Sequence, residues 1–288
     1  MDIALVTYRE LPDLHPDDHP LRDALQALDA RVRAVSWDEL DVDWAGFDAV
    51  VIRSCWDYYL RIAEFRRWLD DVERTGAQLW NPAGVVRWNF DKTYLKDLAG
   101  NGVLLPGTEW LAPGPDGPDL AGVLEVRGWE QAVVKPRVSA SGHETWFTDR
   151  RHAARDQPRL AQLLANGGVL VQEFVPEVMS AGELSLVYVA GQFSHAVRKR
   201  AAAGEFRVQE RFGGWTEPAT AGTAALEAGA RTLGRVPGPW LYARVDGVDR
   251  AVDGTFLVME LEVFEPTLFL QHSPPAARRL ARAIVSRT

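Results

Sequence analysis

The sequence predicts an α+β protein in which a small α/β domain over residues 1–85 precedes a larger, mostly antiparallel region. In the first third, apolar runs alternate with helical patterns. Beyond residue 100, strand-like runs outnumber helical ones. Near the C-terminus, two strictly alternating runs, residues 242–246 and 259–263, flank an Asp253–Gly254 turn signal.

Taken in order, residues 3–6, 32–35 and 49–52 read as strands and residues 21–28 as a helix. Leu60, Phe65, Trp68, Leu69 and Val72 keep close to a 3.6-residue period that Gly76 ends, and residues 78–80 resume an extended run. Asn89 or Asp91 is placed to cap a short helix carrying Tyr94, Leu95 and Leu98, which Asn101 and Gly102 terminate. Residues 112–122, rich in proline and glycine, read as a loop. Strands follow at 132–134, 169–172, 184–189, 242–245 and 256–263, with helices at 224–233 and 275–285.

Composition narrows the function classes. A formal charge of −8 without a basic tract disfavours nucleic acid, and no apolar stretch approaches the ~20 residues that span a bilayer. The single cysteine, Cys55, has no internal partner for a disulfide, and the first residues lack the basic flank of a signal peptide, so a cytoplasmic location is expected.

If Asp253 marks the turn centre, Asp246 lies opposite Glu260 and Arg244 opposite Glu262. These four share one sheet face, with Ala243, Val245, Met259, Leu261 and Val263 on the other. Adjacent carboxylates at ~5 Å repel by about 3 kcal/mol at an effective dielectric near 20, and one arginine offsets only part of this. A divalent cation with a preference for hard oxygen ligands, such as magnesium, would resolve the repulsion; a solvated acidic face is the bland alternative.

Upstream, Lys92 and Lys135 are candidate phosphate ligands, and the small-residue loop at 139–142, with Ser141 and Gly142, has backbone amides able to fold over phosphates. Solvated lysines and an ordinary turn would look the same. Residues 173–177, with Glu173, Phe174 and Glu177, form an extended segment bent by Pro176. It suits an adenine edge and ribose hydroxyls, or merely an edge strand ended by proline.

In this order, Lys92, Lys135–Pro136, the Ser/Gly loop, Gln172–Glu173–Phe174, Gly182–Glu183, Arg244-x-Asp246 and Glu260-x-Glu262 resemble the carboxylate–amine ligases of the ATP-grasp superfamily, of glutathione synthetase type, over about residues 86–270. Closer similarity is to a subgroup that includes the cyclo-ligase of D-cycloserine biosynthesis. It is carried by Arg53-x-x-Trp56–Asp57–Tyr58, Trp88–Asn89-x-x-Lys92, Ser194–His195–Ala196, Phe206–Arg207–Val208–Gln209 and residues 242–246.

The resemblance implies an ATP-grasp fold: a Rossmann-like domain at 1–85, a small subdomain with a lid loop at 86–170 and a large subdomain with the metal site at 171–288. It implies ATP and Mg2+, with Mn2+ able to substitute, and Lys92, Lys135, Ser141, Gly142, Glu173, Phe174, Glu177, Glu183 and Lys199 around the nucleotide. Asp246, Glu260 and Glu262 would hold metal, while Arg244, Arg207 and Lys135 would serve catalysis. Many relatives place asparagine where Glu262 stands, and some show Arg-x-Asn before paired glycines where this chain has Arg207-x-Gln209 before Gly213–Gly214.

The expected reaction is ATP-dependent joining of a carboxylate and an amine through an acyl phosphate, on an amino acid or a derivative that closes on itself. Its partners would be small-molecule acid and amine substrates, with a homo-oligomer left open. A phosphotransferase releasing a phosphorylated product and a non-catalytic ATP-binding module are the rivals; the intact Arg244, Asp246, Glu260 and Glu262 set disfavours the module. Arg53 (for a carboxylate), Asp57 (for an ammonium), Tyr58, Gln209, Gly213 and Gly214 are the candidate substrate residues, although Asp57 equally suits a helix cap. His195 is a candidate base or, more ordinarily, a structural histidine.

Overall fold

The computed structural model describes residues 1–114 and 117–287. Short apolar runs near the N-terminus become β1 (Asp2–Thr7), β2 (Arg31–Ser36), β3 (Ala49–Ile52) and β4 (Leu79–Trp80), a parallel sheet in the order β2-β1-β3-β4. β1 and β3 are buried because helices α1 (His19–Gln26) and α2 (Ile62–Thr75) cover opposite faces. Gly76 ends α2 at φ +77°, a conformation that costs a residue without Cβ little. Cys55 lies in this core, fully buried, and burial pushes its thiol well up. A thiol reagent should therefore label nothing in the native protein at pH 8 and one group per chain in guanidinium; native-state labelling on the same timescale would contradict this packing.

Helices α3 (Ala83–Asn89) and α4 (Tyr94–Gly100) lead to a second sheet, β5 (Thr108–Leu111), β6 (Gln131–Pro136), β7 (Trp146–Asp149) and β8 (Val169–Glu173), antiparallel in the order β5-β8-β6-β7. Helices α5 (Leu120–Arg127) and α6 (Ala153–Asn166) pack on it through Leu120, Leu124, Leu160 and Leu164. After the short α7 (Glu177–Ser180) comes the third sheet: β9 (Glu183–Val189), β10 (Gln192–Arg200), β11 (Trp215–Ala219), β12 (Tyr242–Asp249) and β13 (Phe256–Glu262), antiparallel in the order β11-β10-β9-β12-β13. Helix α8 (Thr223–Leu233) backs this sheet, and the last helix, α9 (Pro274–Val285), returns to α1 through Leu280 and Ile284. The α+β class expected from the sequence is the one observed. None of the described helices is long and apolar enough to cross a membrane.

Local expectations need correction at four places. The loop expected at 112–122, of which residues 115 and 116 lie outside the described residues, ends before Leu120, because the Asp119 carboxylate accepts from the Gly122 N–H at 2.9 Å and starts α5. Neither Asn89 nor Asp91 caps α4 with its side chain: Asn89 ends α3 and its amide joins the Leu261 carbonyl and the Val263 N–H, both at 2.9 Å. Helix α6 was not legible because Pro158 sits inside it. In the β12–β13 hairpin, Arg244 pairs with Glu262 and Asp246 with Glu260 as expected, but the register slips between Asp246 and Gly247. This bulge turns Met259 out of the buried face and onto the cavity wall.

Candidate active site

A cavity of about 580 Å³ opens between the three sheets, walled by Tyr8, His15 and Trp56 from the first, Lys135, Gln172 and Phe174 from the second, and Lys199, Arg244 and Glu260 from the third. On its floor, carboxylate oxygens of Asp246, Glu260 and Glu262 lie within 4.8 Å of one another. Strand alternation across the β12–β13 pair puts them on one face.

The charges around this group are buried and interlocked. Arg244 forks onto Asp246, Nε to Oδ1 and Nη2 to Oδ2, each at 2.9 Å, reaches Glu262 with Nη2, and donates Nη1 to the Thr267 carbonyl at 2.9 Å. Ser185 Oγ donates to Asp246 at 2.6 Å, and Lys199 Nζ bridges Asp246, at 2.9 Å, and Glu183. Burial would raise the Asp246 carboxyl, but Arg244 and Lys199 outweigh it and hold the group well below the usual range. Burial likewise opposes ionisation of Glu260, yet Lys92, whose Nζ is 3.3 Å away, and then Lys135 bring it down.

Glu262 differs. Burial raises it, Arg244 offsets only part, and the carboxylates of Glu260 and Asp246 push further, to about 7. The donor set is thus three hard oxygens with one negative charge left poorly compensated, a fit for a divalent cation held by Asp246, Glu260 and Glu262.

Two further lysines face the same space. Lys92 donates to the Ser139 carbonyl at 2.6 Å, and Lys135 to Gln172 Oε1 at 3.2 Å. Burial pulls the Lys135 ammonium down. Ser141 and Gly142 adopt φ +52° and +67° at the tip of the loop after β6, and Gly142 lies against Gln209 and Phe212, where a Cβ would meet Gln209 Oε1 at 3.2 Å. Val133, Phe174, Val175, Val178, Met259 and Leu261 give the cavity apolar lining, with Phe174 edge-on to Phe147 at 5.1 Å.

Most of the candidate residues named above converge on this cavity: Lys92, Lys135, Ser141, Gly142, Glu173, Phe174, Glu183, Lys199, Arg207, Gln209, Arg244, the three acids, Asp57 and Tyr58 all line it. Several do so with their groups already committed. Asp57 stands at the N-cap position of the helical turn Tyr58–Arg61, but its carboxylate makes no capping bond: it accepts from Trp37 Nε1 at 2.7 Å and pairs with Arg61 at 2.6 Å. Arg207 pairs with Glu205 at 2.7 Å and covers the Phe212 ring at 3.5 Å, holding the Glu205 carboxyl down at about 2.

Five candidates stand outside the wall. Arg53 is 1% exposed, and its Nε and Nη2 hold chain segments together through Asp18 at 2.8 Å and the Pro266 carbonyl at 2.9 Å, while Nη1 is buried without a hydrogen-bond partner. The Glu177 carboxylate accepts from the Ala251 N–H at 2.8 Å. Gly213, at φ +80°, ends a short turn, and Gly214 sits where a Cβ would come 2.2 Å from the Val208 carbonyl, so both shape the loop behind Arg207. His195 also lies off the cavity, its Nε2 bonded to the Leu268 carbonyl at 3.0 Å, a structural role.

The reading from sequence missed Glu265. It lies three residues past Glu262, is 7% exposed and lines the cavity. The one sequence signal for it is an acid before a proline directly after Glu260-x-Glu262.

Residues 3–81 match the family described as the N-terminal domain of the D-cycloserine synthetase DcsG. Along nearly its whole length the chain is similar to the cycloserine biosynthesis protein DcsG of Streptomyces lavendulae, at 35% identity over 99% of this chain and 98% of that protein. A probable alpha-L-glutamate ligase of Xylella fastidiosa (strain M12) is 31% identical over 57% of this chain and 53% of its own length. Among solved structures, that of the D-cycloserine synthetase DcsG superposes with a TM-score of 0.89 at 32% identity, covering 100% of this chain and 99% of that one. The D-alanine–D-alanine ligase of Bacillus anthracis shares the fold at a TM-score of 0.70 and 14% identity, over 99% of this chain and 95% of that one.

Proposed function

Because the chain belongs to the D-cycloserine synthetase family of ATP-grasp ligases, we propose that it uses ATP and Mg2+ to activate the carboxylate of an amino acid or amino-acid derivative as an acyl phosphate, which an amine of the same molecule then captures. The observation that carries this reading is the convergence of Lys92, Lys135, Lys199 and Arg244 on the Asp246–Glu260–Glu262 group at the floor of one cavity. Ring closure is supported by the full-length similarity to a D-cycloserine synthetase.

In the first step a substrate carboxylate oxygen bonds to the γ-phosphorus of ATP as the bond to the β,γ-bridging oxygen breaks, releasing ADP. In the second, the amine nitrogen attacks the acyl carbon, phosphate leaves with the acyl C–O electrons, and the nitrogen gives up a proton. Bound magnesium would supply charge neutralisation and alignment of the phosphates. The chain's own part is placement. Lys92, Lys135 and Arg244 all line the cavity, Lys92 and Arg244 buried and Lys135 half-buried, where their charges are less screened than at the surface. Arg244 keeps its charge at every working pH, since Asp246 and Glu262 outweigh its burial. The Ser139–Gly142 turn and the Phe206–Phe212 segment meet over the cavity through Gly142, Gln209 and Phe212, a cover that keeps water from the mixed anhydride.

Hydroxylamine tests the proposal. Given ATP, Mg2+ and an amino acid, the enzyme is expected to form a hydroxamate with stoichiometric ADP, read colorimetrically with iron. A phosphorylated product accumulating without hydroxamate would replace the ligase chemistry by phosphotransfer.

A further inference from the structure

We propose that Glu265 is the recognition residue for the ammonium group of the acid substrate, which makes α-amino acids the class this cavity takes in preference to plain carboxylic acids. The inference rests on the acyl-phosphate reading above and adds to it the residue that selects the amino acid.

Glu265 is a buried residue, 7% exposed, on the cavity wall, and among the described residues no hydrogen bond or ion pair joins its carboxylate to the protein. The cavity's cations are paired elsewhere: Lys92 with Glu260, Lys199 with Glu183 and Asp246, Arg244 with Asp246 and Glu262, and Arg207 with Glu205, while Lys135 donates to Gln172 and Arg211 lies over the Phe212 ring. Nor does it join the metal group, which consists of Asp246, Glu260 and Glu262. A buried carboxylate without a bonded countercharge is costly to keep, and burial, followed by the nearby Glu262, pushes Glu265 well above the carboxylate range although Arg244 and Lys92 offset part of it. The missing cation is one the ligand brings.

The backbone around Glu265 is fixed to an unusual degree. Four successive carbonyls are held by side chains from elsewhere: Phe264 by Tyr242 Oη at 3.0 Å, Glu265 by Trp56 Nε1 at 2.9 Å, Pro266 by Arg53 Nη2 at 2.9 Å and Thr267 by Arg244 Nη1 at 2.9 Å. The same guanidinium that binds Asp246 and Glu262 therefore also sets this segment. At ~3.3 Å per extended residue, Glu265 lies within about 10 Å of Glu262 along the chain. That offset is an upper bound between backbone positions, whereas an α-amino acid carries its ammonium two bonds, about 2.5 Å, from the carboxyl carbon, so the Glu262 and Glu265 side chains that both line the cavity must reach toward one ligand. Trp56, with His15 edge-on to it at 4.9 Å, and Phe269 wall the same end.

The test compares D- and L-serine and their O-amino derivatives with 3-hydroxypropionate and 3-aminooxypropionate, the counterparts lacking the α-amino group, in the hydroxamate assay. Wild-type enzyme is expected to favour the better amino acid by about 30-fold or more in kcat/KM, the range of a charged hydrogen bond. In Glu265→Gln the preference should fall to within about threefold, chiefly through KM for the amino acid, with ADP affinity by calorimetry unchanged. Glu265→Asp should retain an intermediate preference. Wild-type enzyme that forms hydroxamate while Glu265→Gln keeps its preference overturns the assignment and leaves the acyl-phosphate reading standing. A change confined to the magnesium or ATP dependence also overturns it, by moving Glu265 into the nucleotide site. Wild-type enzyme that forms hydroxamate from none of these acids removes the premise, and the assignment falls with it. If Glu265→Gln loses ADP binding altogether, Glu265→Asp decides: a preference of about tenfold or more supports the role, and its loss rejects it.

Discussion

Glu260→Gln is expected to lower magnesium-dependent ATP turnover by about 1000-fold or more with the fold unchanged. Phosphoryl transfer depends on charge placed at the phosphates, and loss of one such element typically costs several kcal/mol of transition-state stabilisation. Glu260 meets Lys92 at 3.3 Å from the rim of the acidic group, and its side chain is 31% exposed, so the amide can be accommodated. Asp246→Asn should be equally inactive and also less stable, because Arg244 and Lys199 would lose a buried countercharge, at a cost of about 3–5 kcal/mol. The pair of variants separates chemistry from folding: phosphate release measures the first, thermal denaturation the second. Retained turnover in Glu260→Gln would refute the assignment of this carboxylate.

Arg53→Ala is expected to act on stability. The substitution strands Asp18, which is 2% exposed, and frees the Pro266 carbonyl. Removing one partner of a buried ion pair costs about 3–5 kcal/mol, which for a chain of this size lowers Tm by on the order of 10 °C. KM for ATP should stay within about twofold, since Arg53 does not reach the cavity. A normal Tm with a raised KM for the acid would restore the direct substrate contact expected from the sequence. Removing both charges in Arg53→Met/Asp18→Leu should recover much of the lost stability, as seen where buried pairs give way to apolar groups.

How far the sequence could be read follows from the range of the interactions. The β12–β13 face was legible because alternation and a turn are local signals, and the pairing Asp246–Glu260 and Arg244–Glu262 came from counting outward from Asp253. Its bulge was marked only by Gly247, whose hydrogen leaves room where a Cβ would stand 2.4 Å from the Leu257 carbonyl. Lys92, Lys135 and the Ser/Gly turn were legible as a series whose convergence needed the fold. Arg53 was misread because its partners are Asp18 and Pro266, 35 and 213 positions away, and only burial shows that its charge is already spent. Glu265 was missed for the converse reason: one surface acid more or less draws no notice until the chain closes around it.

The four held carbonyls at 264–267 bear on how such enzymes could be recombined. Two of their donors, Arg53 and Trp56, come from the first 85 residues, and two, Tyr242 and Arg244, from the β12 strand that carries the candidate metal ligand Asp246. A graft that exchanged the N-terminal domain alone would bring a foreign pair of donors to this stretch of backbone. Such chimeras should retain nucleotide turnover far better than selectivity for the acid, unless positions 53 and 56 travel with the loop they support.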